Sequence, residues 1–251
     1  MPGKRKAPAK PEVRPSKKPA KKKPIDLYFW PTPNGWKVSI MLEECRLPYN
    51  VIPVNIARGE QFTDAFLKIS PNNRMPAIVD HDGPGGRPIS VFESGAILQY
   101  LGRKTGRFYP SAERARVAVD EWLFWQMANL GPKSGEAGHY RRYAPEKIPY
   151  AINRYGDELN RLYGVMNTRL KARRFLAGAY SIADMASVGW IRHAERQGES
   201  FAEFPHLKRW LDEVRARSAV GRGMHIRVED AGKVDVTDPQ VRAVLFGQRA
   251  R

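Results

Sequence analysis

Thr32 and Asn34 sit two residues apart in Pro31-Thr32-Pro33-Asn34-Gly35, directly after an apolar run over residues 25–30. That run, IDLYFW, has the β-branched and aromatic character of a short buried strand, and the Pro- and Asn-Gly-containing segment breaks it before a helical pattern begins. The first-turn N–H groups of a helix are unpaired and point outward, so a hydroxyl and an amide at such a corner can hold an anion. The chemistry this suits is stabilisation of a thiolate that the chain does not itself supply. Thr and Asn also favour corners as plain turn residues.

Three further positions could share a ligand with that corner. Met75-Pro76 precedes an apolar run, where a cis proline would turn the N–H and C=O of the preceding residue outward to pair with an extended peptide. Glu93-Ser94 opens a helix: the Ser94 hydroxyl and the free N–H groups can take a carboxylate and Glu93 an ammonium group, although Ser94 could equally do no more than cap its own helix. Gln61 lies in a loop with Gly59 and Glu60 and could bind a carboxylate or a backbone amide. A Glu/Ser pair for an amino-acid end, a Met-Pro edge for a peptide bond and a thiol-stabilising turn together describe a pocket for γ-glutamyl-cysteinyl-glycine, glutathione.

The elements that must position these residues follow from pattern. Val38, Met41, Leu42 and Cys45 share one face of a helix over residues 34–46, which makes Cys45 a core residue rather than a nucleophile. Residues 51–56 read as a second strand, 62–69 as a short helix, and 77–79 and 89–92 as a hairpin around the Gly- and Pro-rich loop 81–88, followed by a helix from Glu93 to Lys104. The order βαβ, helix, hairpin, helix gives a thioredoxin-like α/β domain with a mixed four-stranded sheet over residues 25–106. An all-α domain over 107–221 follows, with helices expected at 113–129, 145–170, from Ser181, and at 205–217. Ser181 and Asp184 have the spacing of a capping box. Residues 222–251 form an extension with one late helix after Asp238-Pro239.

Of the formal net charge of +17, residues 1–24 carry +9, from ten Lys and Arg against Glu12, and the remainder +8. A Lys-, Pro- and Ala-rich segment without aromatics cannot offset its chain entropy by burial, so it is expected to be a disordered tail that attracts nucleic acid or another anionic surface without reading sequence. It has no apolar core of a secretory signal, and no run of about 18 apolar residues could insert in a membrane. Cys45 is the only cysteine, which excludes an internal disulfide and a cysteine zinc site and suits a cytoplasmic setting. The five histidines lack metal-binding spacing, so no metal is expected.

Over residues 25 to about 217 the chain resembles the cytosolic glutathione transferases, and the strings TPNG, QF, SPNNRMPAIVDH, VFESGAILQYL, WLFWQ, YAINRY and SIADM resemble the bacterial Nu class. The resemblance implies a homodimer that reduces disulfides with two bound glutathiones, often with peroxidase and weak transferase activity. It assigns the glutathione sulfur to Thr32 and Asn34, and the cysteinyl-glycine portion to Gln61 and the Met75 backbone beside Pro76. The γ-glutamyl end falls to Glu93 and Ser94, and Arg154 is to assist from the helical domain. The competing expectation is a non-catalytic glutathione-fold module tethered to nucleic acid by its tail.

Overall fold

The computed structural model describes residues 23–230 and 234–249. Apart from residues 23 and 24, the basic tail expected over 1–24 lies outside the described residues.

Strand β1 (Ile25–Phe29) buries Ile25, Leu27 and Phe29 in alternation. Helix α1 (Pro33–Cys45) returns the chain to β2 (Tyr49–Pro53), parallel to β1. A single helical turn at Glu60–Phe62 and the short α2 (Asp64–Leu67) lead to β3 (Ala77–Asp80), antiparallel to β1, then β4 (Ile89–Phe92) and α3 (Ser94–Thr105). The sheet order is β2-β1-β3-β4, a mixed four-stranded thioredoxin-like sheet as the pattern implied. β2 begins and ends earlier than the expected 51–56 because its parallel register on β1 pairs Ile25 with Tyr49 and Phe29 with Pro53. The expected helix over 62–69 is split because Thr63 takes extended geometry and its hydroxyl caps the Phe66 N–H.

The rest is helical. The helix expected to end near residue 129 does not end there. α4 (Glu113–Trp125) runs through a wide π-helical turn (Gln126–Leu130) into α5 (Gly131–Gly138) and a second π-helical turn (His139–Tyr143). Gly131-Pro132 reads as a break in the sequence. In the fold the wide turn has already displaced the regular ladder where Pro132 lacks its N–H. α6 (Pro149–Lys171), α7 (Ile182–Ile191), the short α8 (Ala194–Gln197) and α9 (Pro205–Arg215) follow. The pattern missed α10 (Ser218–His225), a helix with two interior glycines. One of them, Gly223, has a packing reason: a Cβ there would stand 2.7 Å from the Ile40 backbone nitrogen. α11 (Pro239–Phe246) is the late helix, with Asp238 capping the Gln240 N–H.

The capping box is present, and Asp184 does more than close it. Fully buried, its carboxylate accepts from the backbone N–H groups of Leu176 (3.1 Å) and Ser181 (3.0 Å), the Ser181 hydroxyl (3.3 Å) and Trp210 Nε1 (2.8 Å). Burial still pushes its pKa up to about 6 against these four donors. Each buried donor left without an acceptor costs about 1–3 kcal/mol, so Asp184→Ala is expected to lower the unfolding free energy by at least about 3 kcal/mol. A urea titration followed by tryptophan fluorescence checks this, and an unchanged midpoint would contradict it.

Candidate functional site

The corner between β1 and α1 is built by a close approach. The Trp30 carbonyl accepts from the Thr32 N–H at 2.8 Å and lies so near Gly35 that a Cβ there would stand 2.2 Å from it. Thr32 is the N-cap: its Oγ1 accepts from the Gly35 N–H at 3.2 Å and its backbone oxygen from Trp36. The hydroxyl proton faces only Met75 Sδ, at 3.9 Å, a weak acceptor. The Asn34 N–H has no acceptor among the described residues, while Asn34 Oδ1 accepts from Trp190 Nε1 at 3.3 Å. One hydroxyl and one first-turn N–H are thus available to an anion at this corner.

Asn34, Glu93 and Ser94 line one cavity of about 260 Å³, which is closed by Gln126, Met127, Gly131, Pro132, Gly135 and Trp190 of the helical domain. Thr32 lines an adjacent cavity of about 300 Å³ that shares Gly135 and Trp190 with the first. Ser94 is the first residue of α3 and its hydroxyl caps nothing there, so the plain capping alternative for it falls away. Glu93 precedes it at φ +65°, a backbone that costs a non-glycine residue of order 1–3 kcal/mol. Its carboxylate accepts from Asn72 Nδ2 at 3.3 Å. The Met75–Pro76 peptide is cis.

Four of the expected site residues line neither cavity, among them Met75 and Pro76, with Met75 Sδ 3.9 Å from Thr32 Oγ1. Gln61 is buried, with its Nε2 donating to the Ile56 carbonyl at 3.2 Å and its Oε1 unpartnered. Arg154 is exposed on α6, 4.0 Å from Glu158, and lines neither cavity.

The pattern passed over Lys37, which lines the first cavity yet is almost wholly buried. Its Nζ donates to Gln126 Oε1 at 2.8 Å, to Ser94 Oγ at 3.4 Å and to Met127 Sδ at 3.5 Å. It therefore ties α1, the start of α3 and the wide turn after α4 together beneath the cavity. Burial lowers its pKa to about 7, opposed by the negative charge of Glu93. Gln126, also buried, keeps its Nε2 without a partner, leaving a donor for a ligand carboxylate. The available signal for Lys37 was its position three residues after Asn34, on the same helix face. Gln126 and Trp190 come from remote segments and carried no local signal.

α11 reaches both domains beside these cavities. Gln248, just past its end, accepts from Arg74 Nη1 at 2.7 Å, next to Met75, while Arg242 donates to the Tyr143 carbonyl at 2.8 Å and Phe246 packs edge-on against His139. No group of His, Cys, Asp and Glu among the described residues could hold a metal. Cys45 is half-buried against Met41 and Thr105, and burial pushes its thiol pKa up.

The family models for the glutathione S-transferase N-terminal and C-terminal domains match residues 32–104 and 151–218. The chain is similar to the disulfide-bond oxidoreductase YfcG of Escherichia coli, 50% identical over 202 residues that cover 80% of this chain and 94% of that one. The E. coli disulfide-bond oxidoreductase YghU is 41% identical over 219 residues, covering 82% and 75%. Among solved structures, a glutathione transferase from Pseudomonas putida with one glutathione disulfide bound per subunit superposes with TM-score 0.79 at 40% identity, covering 85% of this chain and 94% of that one. A relative from Pseudomonas fluorescens with two glutathiones bound gives 0.76 at 42%, covering 80% and 92%.

The pKa of Lys37 has a consequence for stability. Its folded value of about 7 lies below the unfolded 10.5, so the folded state gains stability as pH rises from about 7 toward 10.5 and bears the cost of a buried ammonium below it. Lys37→Met removes that dependence. Relative to wild type, the variant is expected to gain roughly 2.7 kcal/mol between pH 9 and pH 6, at 1.36 kcal/mol per pKa unit. Denaturant unfolding at the two pH values measures it, and parallel pH profiles would contradict it.

Proposed function

Because the chain belongs to the glutathione S-transferase family, we propose that it is a glutathione-dependent disulfide reductase whose nucleophile is a bound glutathione thiolate. The observation that carries this reading is the Thr32 corner: a hydroxyl whose proton faces only a thioether, beside a free Asn34 N–H, where the cavity that Thr32 lines adjoins the one lined by Asn34, Ser94 and Lys37. The named activities of the two E. coli relatives and the glutathione species bound to the Pseudomonas proteins support it.

The γ-glutamyl carboxylate is held by Ser94 and the unpartnered Gln126 Nε2, with the Lys37 ammonium behind them, and the γ-glutamyl ammonium by Glu93. The Met75 backbone, next to Pro76, and Gln61 hold the cysteinyl-glycine portion, which requires the Gln61 amide to leave the Ile56 carbonyl. Arg154, outside both cavities of its own chain, serves the site of a second copy in a homodimer; the exposed Val117 and Phe124 of α4 and Phe92 of β4 supply apolar surface for that pairing. A free cysteinyl thiol has a pKa near 8.5, and donors that lowered it by two units would contribute roughly 2.7 kcal/mol toward the anion.

The thiolate attacks one sulfur of a substrate disulfide; the new S–S bond forms as the old one breaks, and the departing thiolate takes a proton. A second glutathione, deprotonated in turn, attacks the glutathione sulfur of the mixed disulfide and releases the other substrate thiol, leaving glutathione disulfide. The substrate is reduced by two electrons and two glutathiones are oxidised. The same thiolate can attack a hydroperoxide or, weakly, a carbon electrophile. Cys45 takes no part.

In an assay coupling a small disulfide to glutathione and a recycling reductase, Thr32→Ala is expected to lose about 10²-fold in kcat, the scale of one lost donor to a reacting anion. Cys45→Ala is expected to keep full turnover. An inactive Cys45 variant, or a fully active Thr32 variant, would overturn the mechanism. Glutathione binding without any turnover would favour the non-catalytic module.

The charge of +9 over residues 1–24 supports a second role, retention on polyanions. Deleting that segment is expected to abolish retention on a DNA column at low salt, and equal retention of both proteins would remove the idea.

A further inference from the structure

The cavity beside Thr32 has a charge pattern of its own. Arg142, Arg196 and His193 line it together with Thr32 and Ser134. Neither arginine forms an ion pair with a described carboxylate. The His193 pKa falls to about 4, first through burial and then through Arg192, Arg196 and Arg142, with no carboxylate opposing them. His193 is therefore neutral at physiological pH, and it reports a positive field in the cavity. Ser134 adds a second, independent observation, because its hydroxyl is buried in the same wall and has no partner. Buried polar atoms left unpaired in this way mark places where a ligand atom completes the structure.

We propose that this cavity seats the disulfide substrate and selects one that carries carboxylate groups, which Arg142 and Arg196 bind. A cleft of one sign of charge concentrates ligands of the other, and guanidinium groups match carboxylates in two-point geometry. The inference rests on the reductase reading, and the reaction step is the thiol-disulfide exchange given above. The attacked sulfur lies toward Thr32 and the carboxylate toward the arginines, so the departing thiolate leaves on the cationic side.

The test compares three disulfides of similar size at saturating glutathione: dithiodipropionate (dianion), hydroxyethyl disulfide (neutral) and cystamine (dication), each kcat/KM divided by its uncatalysed rate. The dianion is expected to exceed the neutral compound by about tenfold and the dication to fall below it, with the spread shrinking at raised salt. In Arg142→Gln/Arg196→Gln the dianion-to-neutral ratio is expected to fall to about one through the KM for the disulfide, with the KM for glutathione unmoved. Both arginines are exposed, so the fold tolerates the change, and the wild-type series stands without any variant. Equal values for dianion and dication in wild type would overturn the inference. So would a variant that keeps the preference and raises the KM for glutathione, which would assign the arginines to the second glutathione. Turnover of none of the three would refute the reductase reading itself, and this inference with it.

Discussion

Everything at the site depends on how closely the chain can fold back at the β1–α1 corner. The Trp30 carbonyl occupies the space where any residue but glycine at 35 would put its Cβ, and that approach aims the first turn of α1 at the cleft. From Gly35 to Leu42 α1 is buried without interruption, between the sheet on one side and α7, α10 and α3 around it. A helix so enclosed cannot drift, and the hydroxyl and N–H groups at its start inherit that rigidity. The Gly223 contact with Ile40 and the two-point ion pair of Arg217 with Glu44, at 2.6 and 3.0 Å, fix the helix from the other side.

The same enclosure forces an expensive choice at Lys37. An amine there must shed its water, and the lowered pKa measures that cost. The three acceptors around it, one at the start of α3 and two in the wide turn after α4, offset part of the penalty and tie both elements to α1. An anionic tripeptide above Ser94 would restore the charge balance. Lys37 lies at the wall of one cavity, and His193 beside Thr32 sits in a positive field. In the proposed mechanism both would act in the same sense, favouring a thiolate at Thr32 that the protein does not carry.

What could be read from the sequence was what is local. The Thr32 to Gly35 corner, the Ser181–Asp184 box and the hairpin each announce themselves within a few residues, because turn and capping chemistry act over that range. Lys37 was half legible, since its spacing from Asn34 is helical but its burial is set by α3 and the turn after α4. Gln126, Trp190, Arg142 and Arg196 were not legible. Gln126 stands in the wide turn after α4, Trp190 on α7 and Arg196 on α8, while Arg142 reaches the site on a helix that continues past Gly131-Pro132, where composition argues for a break; their meaning comes only from what the fold sets opposite them. Arg154 matched a motif yet stands outside both cavities of its own chain, because a motif fixes the helix face and not the neighbour that face meets.

The division between the domains follows from the same geometry. In the proposed mechanism the thioredoxin-like unit supplies the groups that recognise features common to every glutathione: the Thr32 hydroxyl at the sulfur, Ser94 and Glu93 at the amino-acid end. Residues of the helical domain line the cavity beyond Thr32. On the proposed reading, substitutions at Arg142 and Arg196 change what is reduced without disturbing what does the reducing, whereas the His193 ring packs on Trp36 of α1 at 5.7 Å. Trp190 couples the two sides more directly. Its indole N–H holds Asn34 from the helical side and its ring walls both cavities, so the position of α7 sets the geometry of the two together. The proposed mechanism, with a borrowed thiol, requires two separately held sulfurs to come into line, and one rigid side chain shared by both cavities is a direct way to set their separation.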